Sequence, residues 1–276
     1  MLRRQAIAFV LGALAKSEAG AHGSLARFLD PANGAAVLLD VQTRRVIAVN
    51  DGSVADTFLA PLGSTIKPFV LSALLRRGKL GPNASFPCPT RLTIGDRRFD
   101  CTHPRLATPM RIDTAIAYSC NCFVAHYAEQ FEPGQLAMEL QTFGLARVQR
   151  ALTSDAQRVQ ALGEGNVLTS AAELALVYRQ LAVNSNQPEN QPITAGLEGA
   201  VEFGTAQNAR VQGVTVAGKT GSVRTNAGAH VAWFAGFMPS RAPEVVATIM
   251  LAGRSGGADA APIAHEILEA HRAGRI

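Results

Sequence analysis

The chain of 276 residues is 47% hydrophobic and 17% charged, which is ordinary for a globular protein and excludes an intrinsically disordered chain. Its length is sufficient for one large domain or two smaller ones. The net charge of +5 fits an anionic surface as a partner, but the basic residues are scattered and no aromatic residues interleave with them. We therefore predict no nucleic-acid partner.

The first 23 residues have the pattern of an export leader. Arg3 and Arg4 precede a ten-residue apolar core, and small residues follow it at Ala19 and Ala21. We expect a signal peptide or short N-terminal leader over residues 1–23 and a periplasmic or cell-envelope location; the alternative is a poorly ordered N-terminal helix of a cytoplasmic protein. The apolar core is too short to span a bilayer comfortably, so membrane association is predicted only through this leader.

Two strands are predicted next along the chain. Apolar runs at 35–41 and 45–49 flank a three-residue connection, which is a hairpin length. We expect this hairpin to form part of a sheet that covers the helix following it.

A turn rich in Pro and Gly at residues 61–64 leads into a run with helical period at 66–75. Arg76 and Arg77 suit a helix C-terminus, and Gly78 ends the run. The pattern predicts that Ser64, within the turn, opens a buried helix.

Lys67 lies three residues after Ser64, on the same helix face and within reach of it. A serine hydroxyl becomes a good nucleophile when a base takes its proton, and lysine can do this only as a free amine. Burial among apolar groups and a second nearby cation both favour the free amine. The helix N-terminus also offers N–H groups that can hold an oxyanion. Taken alone, Ser64 has the simpler interpretation of an N-cap.

Residues 79–99 are rich in Gly, Pro, Asn and Thr, and we expect a long loop there with a small hairpin at 91–98. Cys88 and Cys101 bracket the hairpin, so a disulfide between them would fix it in an oxidising compartment. The pairing of the four cysteines stays open.

His103 lies near Cys101 and two more cysteines follow, so a zinc site is one interpretation of this segment. The spacing contains no C-x-x-C pair, so we predict no metal site and no cofactor. Cys120 and Cys122, only two residues apart, are poor partners for each other and are interpreted as small buried hydrophobes.

A helical run at 111–118 breaks at Ser119, and a second run resumes at residue 123. Ser119 and Asn121 can then project from one turn into a cleft, although both residue types are also common helix caps. The remaining periodic and capped segments predict helices at 135–143, 174–183 and 259–272 and strands at 214–218, 230–237 and 244–251.

Three ordered motifs give the chain a resemblance to a known family. They are Ser64-x-x-Lys67, Ser119-x-Asn121 and Lys219-Thr220-Gly221. The second begins 55 residues after the first, and the third begins 100 residues after the second. Serine-x-x-lysine, serine-x-asparagine and lysine-threonine-glycine are the signature set of penicillin-binding proteins and serine β-lactamases. From about Ala35 to the C-terminal helix, the chain resembles a penicillin-binding protein transpeptidase domain of the serine penicillin-recognising superfamily.

This resemblance implies an α/β fold, with an antiparallel sheet flanked by helices and interrupted by an inserted all-helical domain. The transpeptidase-like domain is expected to span residues 24–276. Its α/β part would comprise about 24–78 and 201–276, with the helical insert at about 79–200. The active cleft would lie at the junction of the two parts.

The resemblance also implies catalytic roles. Ser64 attacks an acyl carbon, while Lys67 accepts the serine proton as a neutral amine. Ser119 relays that proton to the leaving amine. Lys219 supplies a second positive charge that keeps Lys67 neutral or binds the substrate carboxylate.

Substrate contacts follow from the same resemblance. The amide of Asn121 would hold an amide of the substrate, and the backbone N–H of Ser222 would hold the oxyanion together with that of the nucleophile. The remaining substrate-binding positions are expected on the edge strand, at Thr220, Gly221, Ser222 and Arg224.

The expected activity is that of a serine D,D-transpeptidase or D,D-carboxypeptidase on the D-Ala-D-Ala end of peptidoglycan stem peptides, with β-lactams as covalent inhibitors. Class A β-lactamases use a carboxylate to activate water, and Glu164 is the only acidic residue in the corresponding neighbourhood. It lacks the fuller pattern of that loop, so we expect slow deacylation. The alternatives are a β-lactamase, a β-lactam sensor domain and a non-catalytic cell-wall binding protein.

Overall fold

The structure of the protein is a computed structural model that describes residues 23–225 and 227–276. The predicted leader therefore lies outside the described residues, except for its last position. Within the described ranges, no helix is both long and apolar enough to cross a bilayer.

A six-stranded sheet forms the centre of the fold. Every neighbouring pair is antiparallel except the first, in which the two-residue strand Gly23–Ser24 runs parallel to its partner. The predicted mixed α/β fold with an antiparallel sheet is confirmed. In spatial order the strands are Gly23–Ser24, Val46–Val49, Gly34–Asp40, Val245–Ala252, His230–Met238 and Ala217–Arg224.

The sheet is buried on both faces, because alternate residues of one strand enter different hydrophobic cores. In the strand Gly34–Asp40, Val37 and Leu39 pack into the core that contains the helix Lys67–Arg76. Leu38, between them, packs into the core on the opposite face, which contains the C-terminal helix. The predicted opening hairpin is thus part of the central layer.

Nine α-helices surround the sheet and the two cores in the described ranges. They are Gly52–Thr57, Lys67–Arg76, Ile112–Ala117, Asn121–Ala128, Gln135–Thr142, Ser154–Ala161, Ala171–Val183, Gln191–Glu202 and Ala261–Arg272. Ser170 caps the helix Ala171–Val183, since its side chain accepts a hydrogen bond from the backbone N–H of Glu173.

The expected all-helical character of residues 79–200 is not what the structure has. Helices dominate this segment, but short strands of two or three residues interrupt them: one pair forms a local hairpin, and the others pair with strands distant in sequence. The predicted small hairpin at 91–98 is present. The short strands are Ser85–Phe86, Thr93–Ile94, Arg97–Arg98, Met110–Arg111, Arg147–Val148 and Val167–Thr169.

The basic residues at the end of the helix Lys67–Arg76 are tied to the protein. Arg76 and Arg77 both form ion pairs with Glu139, whose side chain is 1% exposed. A buried carboxylate needs such pairing, because an unpaired charge is costly away from water. The two guanidinium groups therefore anchor this helix to the helix Gln135–Thr142.

Candidate active site

Ser64 lies in a tight 3₁₀ turn, Gly63–Ile66, that runs directly into the helix Lys67–Arg76. The prediction that Ser64 opens a buried helix is confirmed, with the first turn wound more tightly than an α-helix. Gly63 has φ +52°, which a residue with a Cβ rarely adopts. An added Cβ there would lie 3.2 Å from the backbone nitrogen of Ser222. The nucleophile turn is therefore packed against the edge strand.

Two buried aromatic residues anchor this turn from the core. The hydroxyl of Tyr178 donates to the carbonyl of Thr65 at 2.8 Å, and Nε1 of Trp233 donates to the carbonyl of Pro61 at 2.9 Å. Both side chains are fully buried. Sequence reasoning did not assign them to the site; the available signal was an aromatic residue with a polar tip inside an apolar helix or strand.

Lys67 is fully buried and its amine points at the second motif. Its Nζ lies 2.6 Å from the carbonyl oxygen of Ser119, 3.1 Å from Ser119 Oγ and 2.5 Å from Asn121 Oδ1. Burial lowers the pKa of Lys67 to about 8, although the nearby thiols of the cysteine residues act in the opposite direction. A substantial fraction of this amine is thus neutral in mildly alkaline solution.

The expected hydrogen bond between Ser64 and Lys67 is not formed here. No described residue forms a hydrogen bond to Ser64 Oγ, and the three protons of the Lys67 ammonium are matched by the three acceptors of the second motif. Loose contacts between nucleophile and base are common in enzymes without bound substrate. Loss of one proton would leave the Lys67 amine with a lone pair for the serine hydroxyl.

Ser119 occupies a strained turn between two helices. The helix Ile112–Ala117 ends before it and the helix Asn121–Ala128 begins after it, as the break in periodicity predicted. Ser119 itself has φ +58°, which is uncommon for a residue other than glycine and is found where surrounding structure enforces it. The strain brings its hydroxyl and its carbonyl oxygen to the same amine.

Asn121 is held at both ends of its amide. Its oxygen accepts from Lys67, and its Nδ2 donates to the carbonyl of Phe99 at 2.9 Å. The second contact ties the motif to the loop after the small hairpin. The structure thus places Asn121 as a positioning residue for the amine, and its predicted contact with a substrate amide stays a prediction.

The third motif lies on the strand Ala217–Arg224, which pairs with one neighbour and is the last strand of the sheet within the described residues. Lys219 is fully buried, and its Nζ donates to the carbonyl of Thr220 at 3.0 Å. Burial, and then the charge of Lys67, hold the pKa of Lys219 well below its usual range. The charge of Lys67 thus disfavours the charged form of Lys219.

The other predicted positions on this strand differ in their surroundings. Thr220 is buried and its hydroxyl donates to that of Thr205, a neighbour that sequence reasoning did not identify. Ser222 is exposed, and its Oγ accepts from the N–H of Gly256. The guanidinium of Arg224 is exposed and donates to the carbonyl of Gly228 in its own hairpin.

Gly221 is needed for a close approach between strand and turn. A Cβ on it would lie 2.6 Å from the carbonyl oxygen of Leu62 and 3.0 Å from the side chain of Thr65. No larger residue fits without moving the nucleophile turn.

A second close approach was not predicted. The backbone N–H of Gly63 donates to the carbonyl of Gly163 at 2.9 Å, and a Cβ on Gly163 would overlap the Gly63 carbonyl. The neighbouring Glu164 does not stand free, because its carboxylate pairs with Arg97. The loop thus supports the turn, with its acidic residue held by a cation.

All four cysteines are free thiols. The disulfide expected between Cys88 and Cys101 is absent, although their sulfur atoms lie only 3.7 Å apart. Cys120 and Cys122 are buried, as predicted, but they contact other sulfur atoms as well as hydrocarbon.

An antiparallel-sheet α/β fold with a serine on a tight turn and two buried lysines beside it defines the serine acyltransferases of the penicillin-recognising class. The family profile described as "Penicillin binding protein transpeptidase domain" matches residues 34–269, and the chain belongs to this family. Among curated proteins, none matches this chain.

Solved structures agree on the fold. The chain is similar to the transpeptidase domain of Burkholderia pseudomallei penicillin-binding protein 3, with 19% identity, a TM-score of 0.77 and coverage of 98% of this chain and 95% of the other. It is also similar to PBP2 of Pseudomonas aeruginosa, with 18% identity, a TM-score of 0.76 and coverage of 90% and 72%. A third is the FtsI4 D,D-transpeptidase domain of Legionella pneumophila, with 24% identity, a TM-score of 0.69 and coverage of 90% and 92%.

Proposed function

We propose that the chain is a serine D,D-transpeptidase or D,D-carboxypeptidase that acts on the D-Ala-D-Ala end of peptidoglycan stem peptides and is acylated by β-lactams at Ser64. The observation that carries this proposal is the Lys67 amine, buried beside the nucleophile turn with a lowered pKa and hydrogen-bonded to Ser119. Membership of the transpeptidase family supports it.

The acylation step uses three side chains. Ser64 Oγ bonds to the carbonyl carbon of the penultimate D-Ala, and its proton passes to the neutral amine of Lys67. Lys67 then gives a proton to Ser119, which passes its own to the departing nitrogen of the terminal D-Ala as the peptide bond breaks. The 3.1 Å contact between Lys67 and Ser119 is the path for this transfer.

Negative charge on the tetrahedral intermediate would be held by backbone donors. The N–H groups of Ser64 and Ser222 are the proposed donors, because the nucleophile turn lies against the edge strand: a Cβ added at Gly63 would lie 3.2 Å from the backbone nitrogen of Ser222. Removal of one such donor costs about 3 kcal/mol of transition-state stabilisation in other enzymes. The outer edge of the strand Ala217–Arg224 suits an extended peptide, which can add to it as a strand.

Release of the acyl group then separates the candidate activities. An acceptor amine gives transpeptidation and water gives carboxypeptidation; a β-lactamase would need a base to activate that water. The pairing of Glu164 with Arg97 favours a long-lived acyl-enzyme over β-lactamase activity. A periplasmic or cell-envelope location, through the leader at residues 1–23, accompanies the proposal, as does the division into an α/β part and an insert at about 79–200.

Intact-mass spectrometry after incubation with benzylpenicillin tests the proposal. We expect a lasting adduct of one acyl group that Ser64→Ala abolishes. Rapid turnover without a lasting adduct would instead identify a β-lactamase, and absence of both would identify a non-catalytic binder. Release of D-Ala from a peptide ending in D-Ala-D-Ala, or its exchange for an acceptor amine, separates the enzyme from a β-lactam sensor.

A further inference from the structure

Three thiols and one imidazole converge beside the second motif. The donor atoms of Cys88, Cys101, His103 and Cys120 all lie within 4.8 Å of one another. The fold assembles the group from three segments: the loop after the strand Ser85–Phe86, the loop after the small hairpin, and the first residue before the helix Asn121–Ala128.

Four of the six distances within the group match the edges of a tetrahedron around one ion, and the other two are no longer than 4.8 Å. Zn–S bonds of about 2.3 Å place the sulfurs of a tetrahedral site about 3.8 Å apart, and a sulfur and an imidazole nitrogen about 3.6 Å apart. Cys88 Sγ lies 3.7 Å from Cys101 Sγ and 3.4 Å from Cys120 Sγ, and Cys101 Sγ lies 3.8 Å from Cys120 Sγ. The nearest imidazole atom, Nε2 of His103, lies 3.6 Å from Cys88 Sγ.

The histidine is oriented as a metal ligand. Its Nδ1 donates to the carbonyl of Pro104 at 2.8 Å, which fixes the tautomer that leaves a lone pair on Nε2. Metal-bound histidines typically make such a second hydrogen bond. A cavity of about 330 Å³, lined in part by Cys88 and His103, gives access from the surface.

We propose that Cys88, Cys101, His103 and Cys120 form a tetrahedral site for a zinc ion. Three thiolates and an imidazole are a soft donor set that suits Zn²⁺, and four protein ligands leave no open position, as in structural zinc sites. The sequence argued against a metal because it contains no C-x-x-C pair; the fold supplies the neighbours from residues 13 and 19 positions apart.

The zinc would fasten the second motif to the loop that faces it. Cys120 stands between Ser119 and Asn121, so its ligation fixes the strained turn from one side. Asn121 already holds the carbonyl of Phe99, just before Cys101. The ion thus has a structural role, and its binding does not rest on the proposed acyl-transfer function.

Metal analysis of the full chain, purified with zinc and a reductant, tests the site. We expect about one zinc per chain in the wild type, and loss of that zinc in Cys101→Ser and in His103→Ala. Cys122→Ser is the matched control: its sulfur lies 3.5 Å from Cys101 Sγ but outside the group, so zinc should be retained. Ser64→Ala should also retain zinc, so failure of the proposed function is distinguished from failure of the site.

Cobalt substitution gives a second readout. Co²⁺ bound by the wild type and by Cys122→Ser should show visible d–d bands of tetrahedral geometry and a thiolate charge-transfer band, and His103→Ala should lose or shift them. Circular dichroism verifies that the variants fold. Three results would each overturn the proposal. All variants could contain equal zinc, or the wild type could contain no zinc while all its thiols react with a thiol reagent. The third is a Cys88–Cys101 disulfide in protein exported to an oxidising compartment.

Discussion

The amine of Lys67 lies 3.1 Å from Ser119 Oγ and 2.6 Å from the carbonyl oxygen of the same residue. The Lys67 amine therefore donates to both oxygens of Ser119, a residue held at φ +58°. Together with Asn121 Oδ1, these acceptors stabilise the ammonium form, while burial destabilises it. The balance places the pKa of Lys67 at about 8, where the residue can alternate between proton acceptor and proton donor.

The first prediction concerns the pH dependence of acylation. Because only neutral Lys67 accepts the serine proton, the second-order rate constant for acylation by benzylpenicillin should rise with pH, pass its midpoint at about pH 8 and then level off. Asn121→Asp places a carboxylate beside the ammonium, which raises the pKa of Lys67. The midpoint should then move to higher pH and acylation at pH 7 should slow. Stopped-flow acylation across the pH range measures both.

Asn121→Ala is the control for charge. It removes an acceptor from the ammonium form, so the midpoint should move to lower pH even if the maximal rate falls. Midpoints that move in the same direction in both variants would show that Lys67 is not the titrating base.

The second prediction concerns Gly221. Gly221→Ala brings a Cβ to 2.6 Å from the backbone of Leu62, so the edge strand and the nucleophile turn must separate. We expect a loss of about 1–3 kcal/mol in unfolding free energy, typical of overpacking, and a fall in acylation rate larger than the stability loss explains. Gly81→Ala, where nothing lies within 4 Å of the added Cβ, should leave both unchanged. Wild-type acylation in Gly221→Ala would contradict the close approach.

The third prediction concerns the anchor at Tyr178. Tyr178→Phe removes the buried hydroxyl that donates to the Thr65 carbonyl. The unfolding free energy should fall by about 1–3 kcal/mol, and acylation should slow because the turn is less firmly held. Tyr127→Phe loses a hydroxyl that donates to the Ser85 carbonyl at 3.2 Å nearer the surface, and its effect should be below about 1 kcal/mol. Equal losses of unfolding free energy in Tyr178→Phe and Tyr127→Phe, measured by chemical denaturation, would show that Tyr178 does not anchor the nucleophile turn.

Local patterns predicted the parts of the site that lie close together in sequence. The serine and lysine of the first motif are three residues apart on one helix, and Ser119 breaks a helical period, so each was visible in the sequence. The contact of Gly63 with Gly163 spans the chain, and no local pattern encodes it. The same holds for the sulfur atoms of Cys88 and Cys120, which only the fold brings together.

Most of the short strands within 79–200 were not predicted from the sequence, for a different physical reason. Polar and proline-rich stretches carry turn signals, which predicted the hairpin around Gly95 correctly. Two-residue pairings such as Ser85–Phe86 with Met110–Arg111 have too few residues to show a period of two. An all-helical segment was therefore the simplest interpretation, and tertiary pairing overrode it.

The fourth prediction concerns the lifetime of the acyl-enzyme. The Glu164 carboxylate pairs with Arg97, so it is not free to activate water. Glu164→Gln should leave the rate of loss of the benzylpenicillin adduct unchanged in time-resolved mass spectrometry. Arg97→Ala is the companion variant: it removes the cation that holds the carboxylate, so deacylation should become faster if this pairing is what keeps Glu164 from acting as a base. Slower deacylation in Glu164→Gln would show that Glu164 already acts as a base in the wild type.

The last prediction joins the chemistry of Lys67 to stability. Burial lowers its pKa from the ordinary 10.5 to about 8, so between these values the unfolded chain binds a proton that the folded chain does not. Stability of the wild type should therefore rise with pH across this window, relative to Lys67→Met, by up to about 3 kcal/mol. Denaturant unfolding of both proteins at matched pH measures the difference, in which titrating groups that do not interact with Lys67 cancel; Lys219, whose pKa the charge of Lys67 lowers, does not. Ser64→Ala, which removes no titrating group, should follow the wild type at every pH; a pH-independent difference for Lys67→Met would show that the buried amine keeps its ordinary proton affinity.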